Sequence, residues 1–414
     1  MSKNLPNTDP FIEEVLNNFF TEIEAEEFNK NYLSDSSASE LVAKLDDQSL
    51  KKQFDIDLNR GFKHRSQVDL LITFAENKLD QEKIIDLLLY LGQSTITSGE
   101  FATSLDIYEK LVHSTKKIPE LRNITANVYL RIGEIYSRQA QWELSISYIE
   151  KADRIFKEEN DVKGNAECEN LMGTIYGDKG ELSKAVEHFE NTLTILEDNP
   201  DTSLEGKVEI NLGIINNIQS NYDTALSNFR RALVNFEKVA NVQRVAEVRQ
   251  NMGMVYTKKK EYQSAISEFE FAMQTAMIVN YLSSIAITFS SKSYVYTKLG
   301  DYNLADAFAE KSMEVAYRLN DKLTIAEVYK VKGIIQRNKA NFSTAESYLL
   351  TSLRLNDELG NQLNGAESSY ELGMLYNLMD DEEKSRRYFS DALEYYKKIK
   401  AEEEINEIED LLKY

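Results

Sequence analysis

Hydrophobic and small residues along this chain repeat with a long, regular step. Glycines stand at 133, 173, 213, 253, 333 and 373, a spacing of 40 residues with Ser293 in the vacant slot and Gly92 one residue out of register before them. Three residues beyond most of these sits an aromatic: Tyr136, Tyr176, Tyr256, Tyr296 and Tyr376, with Asn216 and Gln336 breaking the column. Seven residues before them lies a second small column, Ala126, Ala166, Gly206, Ala246, Ala286, Ala326 and Ala366. Seven residues is close to two helical turns, so both small columns lie on one helix face. A glycine inside a helix costs about 1 kcal/mol relative to alanine. Repeated at each step, that cost implies a neighbouring helix approaching the backbone closely.

The second half of each step supplies that neighbour. Its small residues are Ser145, Ala185, Ala225, Ala265, Ala305, Ala345 and Ser385. Four residues on come Ile149, Phe189, Phe229, Phe269, Ala309, Leu349 and Phe389, then small residues again three further, as in Ala232, Ser312 and Ala392. Spacings of three, four and seven describe one stripe of an amphipathic helix. Turns such as Gly180-Glu181-Leu182 and Gly300-Asp301-Tyr302 fit only an antiparallel helix pair. Such a pair cannot bury its apolar face alone and must stack on copies of itself.

The small–Gly–x–x–Tyr, turn, aromatic–x–x–Ala, Phe–x–x–Ala-Leu pattern resembles the tetratricopeptide repeat. The 40-residue step is similar to the longer variety in kinesin light chains, polarity adaptors and bacterial peptide-sensing regulators of the Rap type. The resemblance implies an all-α, right-handed superhelical solenoid. Seven clear units are read from about residue 122 to 398, with a divergent one before them, so residues 83–398 form the expected solenoid. It further implies that the first helix of each unit lines a concave surface. The candidate groove residues are then Asn127, Arg138, Asn170, Lys207, Asn217, Gln250, Lys258, Tyr294, Lys298, Lys330, Arg337, Asn338, Tyr370 and Asn377. Lys258, Lys298, Lys330 and Arg337 offer cations to a peptide carboxylate; Glu247, Glu327 and Glu367 on the same helices can neutralise them instead, and that reading is preferred. The amides can pair with an extended backbone but form no regular ladder. The Lys and Asn set of a carboxylate clamp for chaperone tails is not in register.

Both ends depart from the repeat. Residues 1–82 form a divergent helical region. Asp9-Pro10 reads as an N-cap and first helical position, and Phe11, Ile12, Val15, Leu16, Phe19, Phe20 and Ile23 as an apolar stripe. Ser34 to Ser39 reads as a loop, and Val68, Leu71, Ile72, Ala75 and Leu79 mark a later helix. The stripe predicts a cap; the alternative is a tethered helix that docks on the solenoid or a partner. Residues 399–414 predict an acidic capping helix, with Ala401, Ile405, Ile408 and Leu412 on one face and Glu402, Glu403, Glu404, Glu407, Glu409 and Asp410 on the other.

Charge and chemistry narrow the function. A formal charge of −21 argues against nucleic acid and anionic lipid as partners. Residues 1–60 carry 13 acidic against 6 basic side chains, unlike a basic recognition helix. The single cysteine, Cys168, reads as a packing residue, and Trp142 occupies a core slot filled elsewhere by Leu182, Tyr222 or Phe342. His64, His113 and His188 are scattered, and no metal-ligand spacing, phosphate loop or nucleophile elbow is present. No cofactor, no catalysis, no signal peptide and no membrane span are expected, which places the chain in the cytoplasm. The expected function is a scaffold or adaptor holding a protein or extended peptide. The alternative is a Rap-like regulator whose N-terminal region acts on a partner. Oligomeric state is open.

Overall fold

In a computed structural model the described residues are 10–33, 63–97, 100–139, 141–319 and 321–413. They form twenty α-helices and no strand, in two compact units, residues 1–161 and 162–414. Asp9 and the Ser34–Ser39 loop lie outside the described residues.

The first unit contains α1 (Pro10–Phe19), α2 (Glu22–Phe28), α3 (Lys63–Lys78), α4 (Gln81–Thr97), α5 (Phe101–Thr115), α6 (Arg122–Arg138) and α7 (Trp142–Glu159). The apolar stripe of α1 is spent inside this unit. Ile12, Val15 and Leu16 are buried in one core with Phe28, Leu71, Leu87 and Leu91, whereas Ile23 stands exposed. Thr21 starts α2 with a reciprocal capping box: its hydroxyl accepts from the Glu24 N–H, and its own N–H donates to Glu24 Oε2 at 2.9 Å. At the edge of that core the Tyr90 hydroxyl donates to Glu14 at 2.7 Å.

The second unit contains six helix pairs and a last helix. The first helices are α8 (Val162–Asp178), α10 (Thr202–Ile218), α12 (Val242–Lys258), α14 (Leu282–Lys298), α16 (Lys322–Asn338) and α18 (Gln362–Leu378). The second helices are α9 (Leu182–Asp198), α11 (Tyr222–Lys238), α13 (Tyr262–Ile278), α15 (Tyr302–Leu319), α17 (Phe342–Leu359) and α19 (Glu382–Ile399), followed by α20 (Glu402–Leu412).

The small columns work as the spacing predicts. A Cβ on Gly253 would stand 2.5 Å from the Phe269 ring, and one on Gly173, Gly213 or Gly373 2.6 Å from Phe189, Phe229 or Phe389. Each glycine is a hole for the knob sixteen residues later. The slot without glycine is filled by a volume exchange: opposite Ser293 stands Ala309, and the Ser293 hydroxyl donates to the Ala305 carbonyl at 2.8 Å. In the first unit Gly92 meets Tyr108 at 2.6 Å, so the divergent repeat keeps the same device.

A second period, of 20 residues, is invisible in composition. Left-handed backbone recurs at Asn160, Gly180, Ser220, Ala240, Lys260, Asn280, Gly300, Ala340, Gly360, Asp380 and Lys400. At each of these positions a single left-handed residue follows a helix and turns the chain back. Pro200 holds the corresponding place after α9, where its ring forbids positive φ; Asp201 instead caps α10 by accepting from the Ser203 and Leu204 N–H groups.

Successive first helices of the second unit pack directly on one another as well as on their own partners. A stack whose first helices approach more closely than its second curves with the first helices inside. The curl goes far enough for its ends to meet. Leu182, Phe189 and Leu212 share a core with Tyr396, Ile399 and Ile408, and Ile399 lies 3.0 Å from where a Gly180 Cβ would stand.

Candidate concave site

The inner wall of the second unit is built from first-helix residues that repeat unit by unit and bond across the stack. The Gln250 side chain accepts from Ser284 at 3.4 Å, and Arg337 donates to the Glu371 carbonyl at 3.1 Å, both across 34 residues. Lys330 of α16 reaches Glu367 of α18 across 37 residues and Glu327 of its own helix at 2.7 Å. The wall is therefore internally paired where it is deepest.

Lys330 is 6 % exposed and Arg337 8 %, so neither presents a free charge. Burial opposes the Lys330 charge, but Glu327 and Glu367 together hold its pKa above the ordinary lysine value. The two carboxylates are not equivalent. Burial lifts Glu327 above the usual carboxylate range despite Lys330. Burial also opposes the charge on Glu367, yet Lys330 and then Lys258 hold it below that range. Arg337 also lies 2.5 Å from Glu371 Oε2. Lys330 is neutralised by two of the glutamates expected to do so, but in a buried cluster, whereas Arg337 takes Glu371, which the sequence reading did not name. Tyr294, packed at the centre, has its hydroxyl pKa pushed up by burial and then by Glu371.

Lys258 and Lys298 differ. The Lys298 ammonium lies 5.0 Å from the centre of the Tyr294 ring, a cation–π contact at an exposed position. The carboxylate paired with Lys258 comes from 146 residues away: the Lys258 Nζ donates to Glu404 of α20 at 2.6 Å. On either side the same helix makes two further contacts, the Tyr222 hydroxyl donating to Glu403 and the Tyr370 hydroxyl to Glu407 at 2.7 Å. Burial works against the charge on Lys258, but Glu404 and Glu367 raise its pKa. The acidic face of α20, expected as a solvent-facing cap, thus turns Glu404 and Glu407 onto first-helix residues of the inner wall and Glu403 onto Tyr222 at the start of α11. A register signal existed: Glu407 stands 40 residues after Glu367, itself 40 after Glu327.

The remaining expected residues separate by depth. Asn170 and Asn217 line the wall with carbonyl oxygens Oδ1 that are enclosed and accept no hydrogen bond. Lys207, Asn338 and Asn377 are exposed. Asn127 and Arg138 belong to the first unit, where Asn127 donates to the Asn123 carbonyl at 2.9 Å and Arg138 pairs with Glu134 at 2.8 Å. Cys168 is buried among packing residues. Among the described residues no group of three His, Cys, Asp or Glu side chains is placed to hold a metal ion, and no helix is long and apolar enough to cross a membrane.

Helix pairs with a glycine hole, an aromatic knob and an inner wall of first helices define a helical repeat solenoid. Residues 124–198 match a family model described as tetratricopeptide repeat, and residues 288–317 and 366–399 match a second model of the same description. Those segments of the chain are tetratricopeptide repeats. No curated protein sequence matches it. Among solved structures it is similar to aspartyl phosphate phosphatase F from Bacillus subtilis, at 16 % identity and TM-score 0.54, covering 96 % of each chain. It is similar also to a signal transduction ATPase with a tetratricopeptide repeat sensor from Pyrococcus horikoshii, at 14 % identity and TM-score 0.55, over 98 % of this chain and 65 % of that one. A third is NprR in complex with its cognate peptide NprX, at 16 % identity and TM-score 0.50, over 67 % and 82 %. At these identities the likeness is one of fold.

Proposed function

We propose that this chain is a binding module that takes a peptide or a segment of a partner protein on the concave wall of residues 162–414. The observation that carries this reading is the polar furnishing of that wall. It presents exposed amides at Asn338 and Asn377 and an exposed cation at Lys298, and it holds a lysine, Lys258, whose counter-ion arrives on a separate helix. The reading assigns binding and no catalytic residue. The phosphatase named in one structural neighbour and the cognate peptide held by NprR belong to those proteins; the second supports a peptide as the ligand class here.

A regulatory version of this reading draws on the closure of the curl. Its ends meet through Tyr222, Lys258 and α20, so a ligand that competes for those groups changes the spacing of the pairs. A scaffold keeps its radius of gyration when ligand is added; a regulator changes it, as small-angle scattering reads directly.

The binding reading is tested with a displayed library of short peptides. Peptides that bind the full chain should be lost on Lys298→Glu combined with Asn338→Asp and Asn377→Asp, three exposed inner-wall positions. They should be kept on Lys238→Glu, an exposed residue of a second helix. Equal retention by both would move the binding surface elsewhere.

A further inference from the structure

The concave reading leaves the class of ligand open, and α20 supplies it. Three carboxylates of one helix, Glu403, Glu404 and Glu407, meet Tyr222 at the start of the second helix α11, and Lys258 and Tyr370 of the first helices α12 and α18. The spacing i, i+1, i+4 places the three on one side of a helix. The opposite pattern, Ile405 and Ile408 with Leu412, carries the apolar contact, and Ile408 is fully buried in the core that joins both ends of the curl. The wall therefore recognises a short acidic amphipathic helix by a hydroxyl, an ammonium and a second hydroxyl, all donors.

We propose that α20 is an intramolecular stand-in for the ligand, and that the partner recognised in trans is an acidic amphipathic helical segment that displaces it. This rests on the concave reading above and names the partner class for it. Two observations support it. First, Lys258 is 46 % exposed at its side chain even with Glu404 in place, so an incoming carboxylate reaches it before the resident one leaves. Second, one Glu404 oxygen, Oε2, is enclosed with no hydrogen-bond partner, so the resident helix fits its site imperfectly. A tethered helix competes at an effective concentration of order millimolar. A ligand of the same chemistry must overcome that advantage, so binding to the intact chain is expected to be weak and to strengthen when the tether loses its charges.

The test uses the full chain and a fluorescent peptide with the sequence of residues 401–413. Its affinity is measured for the wild type and for the triple variant Glu403→Gln, Glu404→Gln, Glu407→Gln, with amide exchange across residues 402–412 followed in both. The expected result is faster exchange of α20 in the triple variant and at least tenfold tighter peptide binding. Tyr222→Phe or Lys258→Gln added to that variant should each weaken the peptide about tenfold. Each is conservative enough to keep the fold, which circular dichroism confirms. A peptide carrying the same three Gln changes should fail to bind. The proposal is overturned if exchange of α20 is unchanged in the triple variant, or if the peptide binds neither chain, or if it binds regardless of Lys258. Dissociation of a dimer by the peptide would also overturn it, assigning the surface to the helix of a second copy. The two readings fail separately. Library peptides lost on the Lys298, Asn338 and Asn377 changes, with no binding of the 401–413 peptide, would leave the concave wall as a site and remove only the acidic-helix partner. Loss of neither would remove both.

Discussion

The helices α1 and α20, first and last of the described residues, are both short and amphipathic, with two and five glutamates respectively, yet they are held by different physics. α1 is held by its apolar side: Ile12, Val15 and Leu16 are buried, and the polar contact at its edge, Tyr90 to Glu14, is solvent-reached. α20 buries one residue fully, Ile408, and is tied down by glutamates that reach residues 146 and 181 positions earlier in the chain. An apolar stripe foretells that a helix will dock. Whether its charged side faces water or a binding wall depends on which other helix the fold brings near.

The largest expected effect tests the apolar end. Leu16→Ala should destabilise the first unit by about 3 kcal/mol, read as a lowered urea midpoint. Ile408→Ala should cost about 2 kcal/mol at the other end. There the loss should appear first as faster amide exchange in residues 402–412, because little else holds them. A lowered global midpoint with unchanged α20 exchange would show that α20 is as firmly part of its core as α1 is.

The charge contrast comes next. At 1 M salt, where the screening length is about 3 Å, α20 should exchange several-fold faster than at low salt while residues 12–16 are unchanged. Equal response at both ends would erase the distinction drawn here.

The smallest effects concern the carboxylates around Lys330. Glu367 is held below the ordinary range, so its contribution is present above the unfolded carboxylate pKa, about 4.3, and is lost as pH falls through the lower folded value. Glu327 is raised, so its ionisation costs stability as pH rises from the unfolded value through the folded one. At pH 7 Glu367→Gln should therefore lower the denaturation midpoint and Glu327→Gln should leave it unchanged or raise it. The opposite order would mean that Lys330 favours Glu327.

Much of this molecule is legible in one dimension because a stacked repeat places residue i against residue i+16 or i+40 wherever it occurs. Gly253 and Phe269 need no long-range information to find each other, and neither do Gly92 and Tyr108 in the divergent unit. The left-handed residues every 20 positions were hidden, because serine, alanine, lysine and asparagine all occupy them and only the backbone reveals the rule. Candidate groove residues were chosen by type and repeat position, but type alone does not report depth: Lys330 and Arg337 are sealed in ion pairs, while Lys258 and Lys298 remain reachable.

The sequence by itself determined the helix pair and its period, since these follow from contacts between neighbours along the chain. The tertiary structure alone decided that the curl closes, that Glu404 meets Lys258 and that Tyr222 meets Glu403. Those contacts depend on the small rotation added at every pair, and a rotation summed over six pairs leaves no local mark in the residues that it finally brings together.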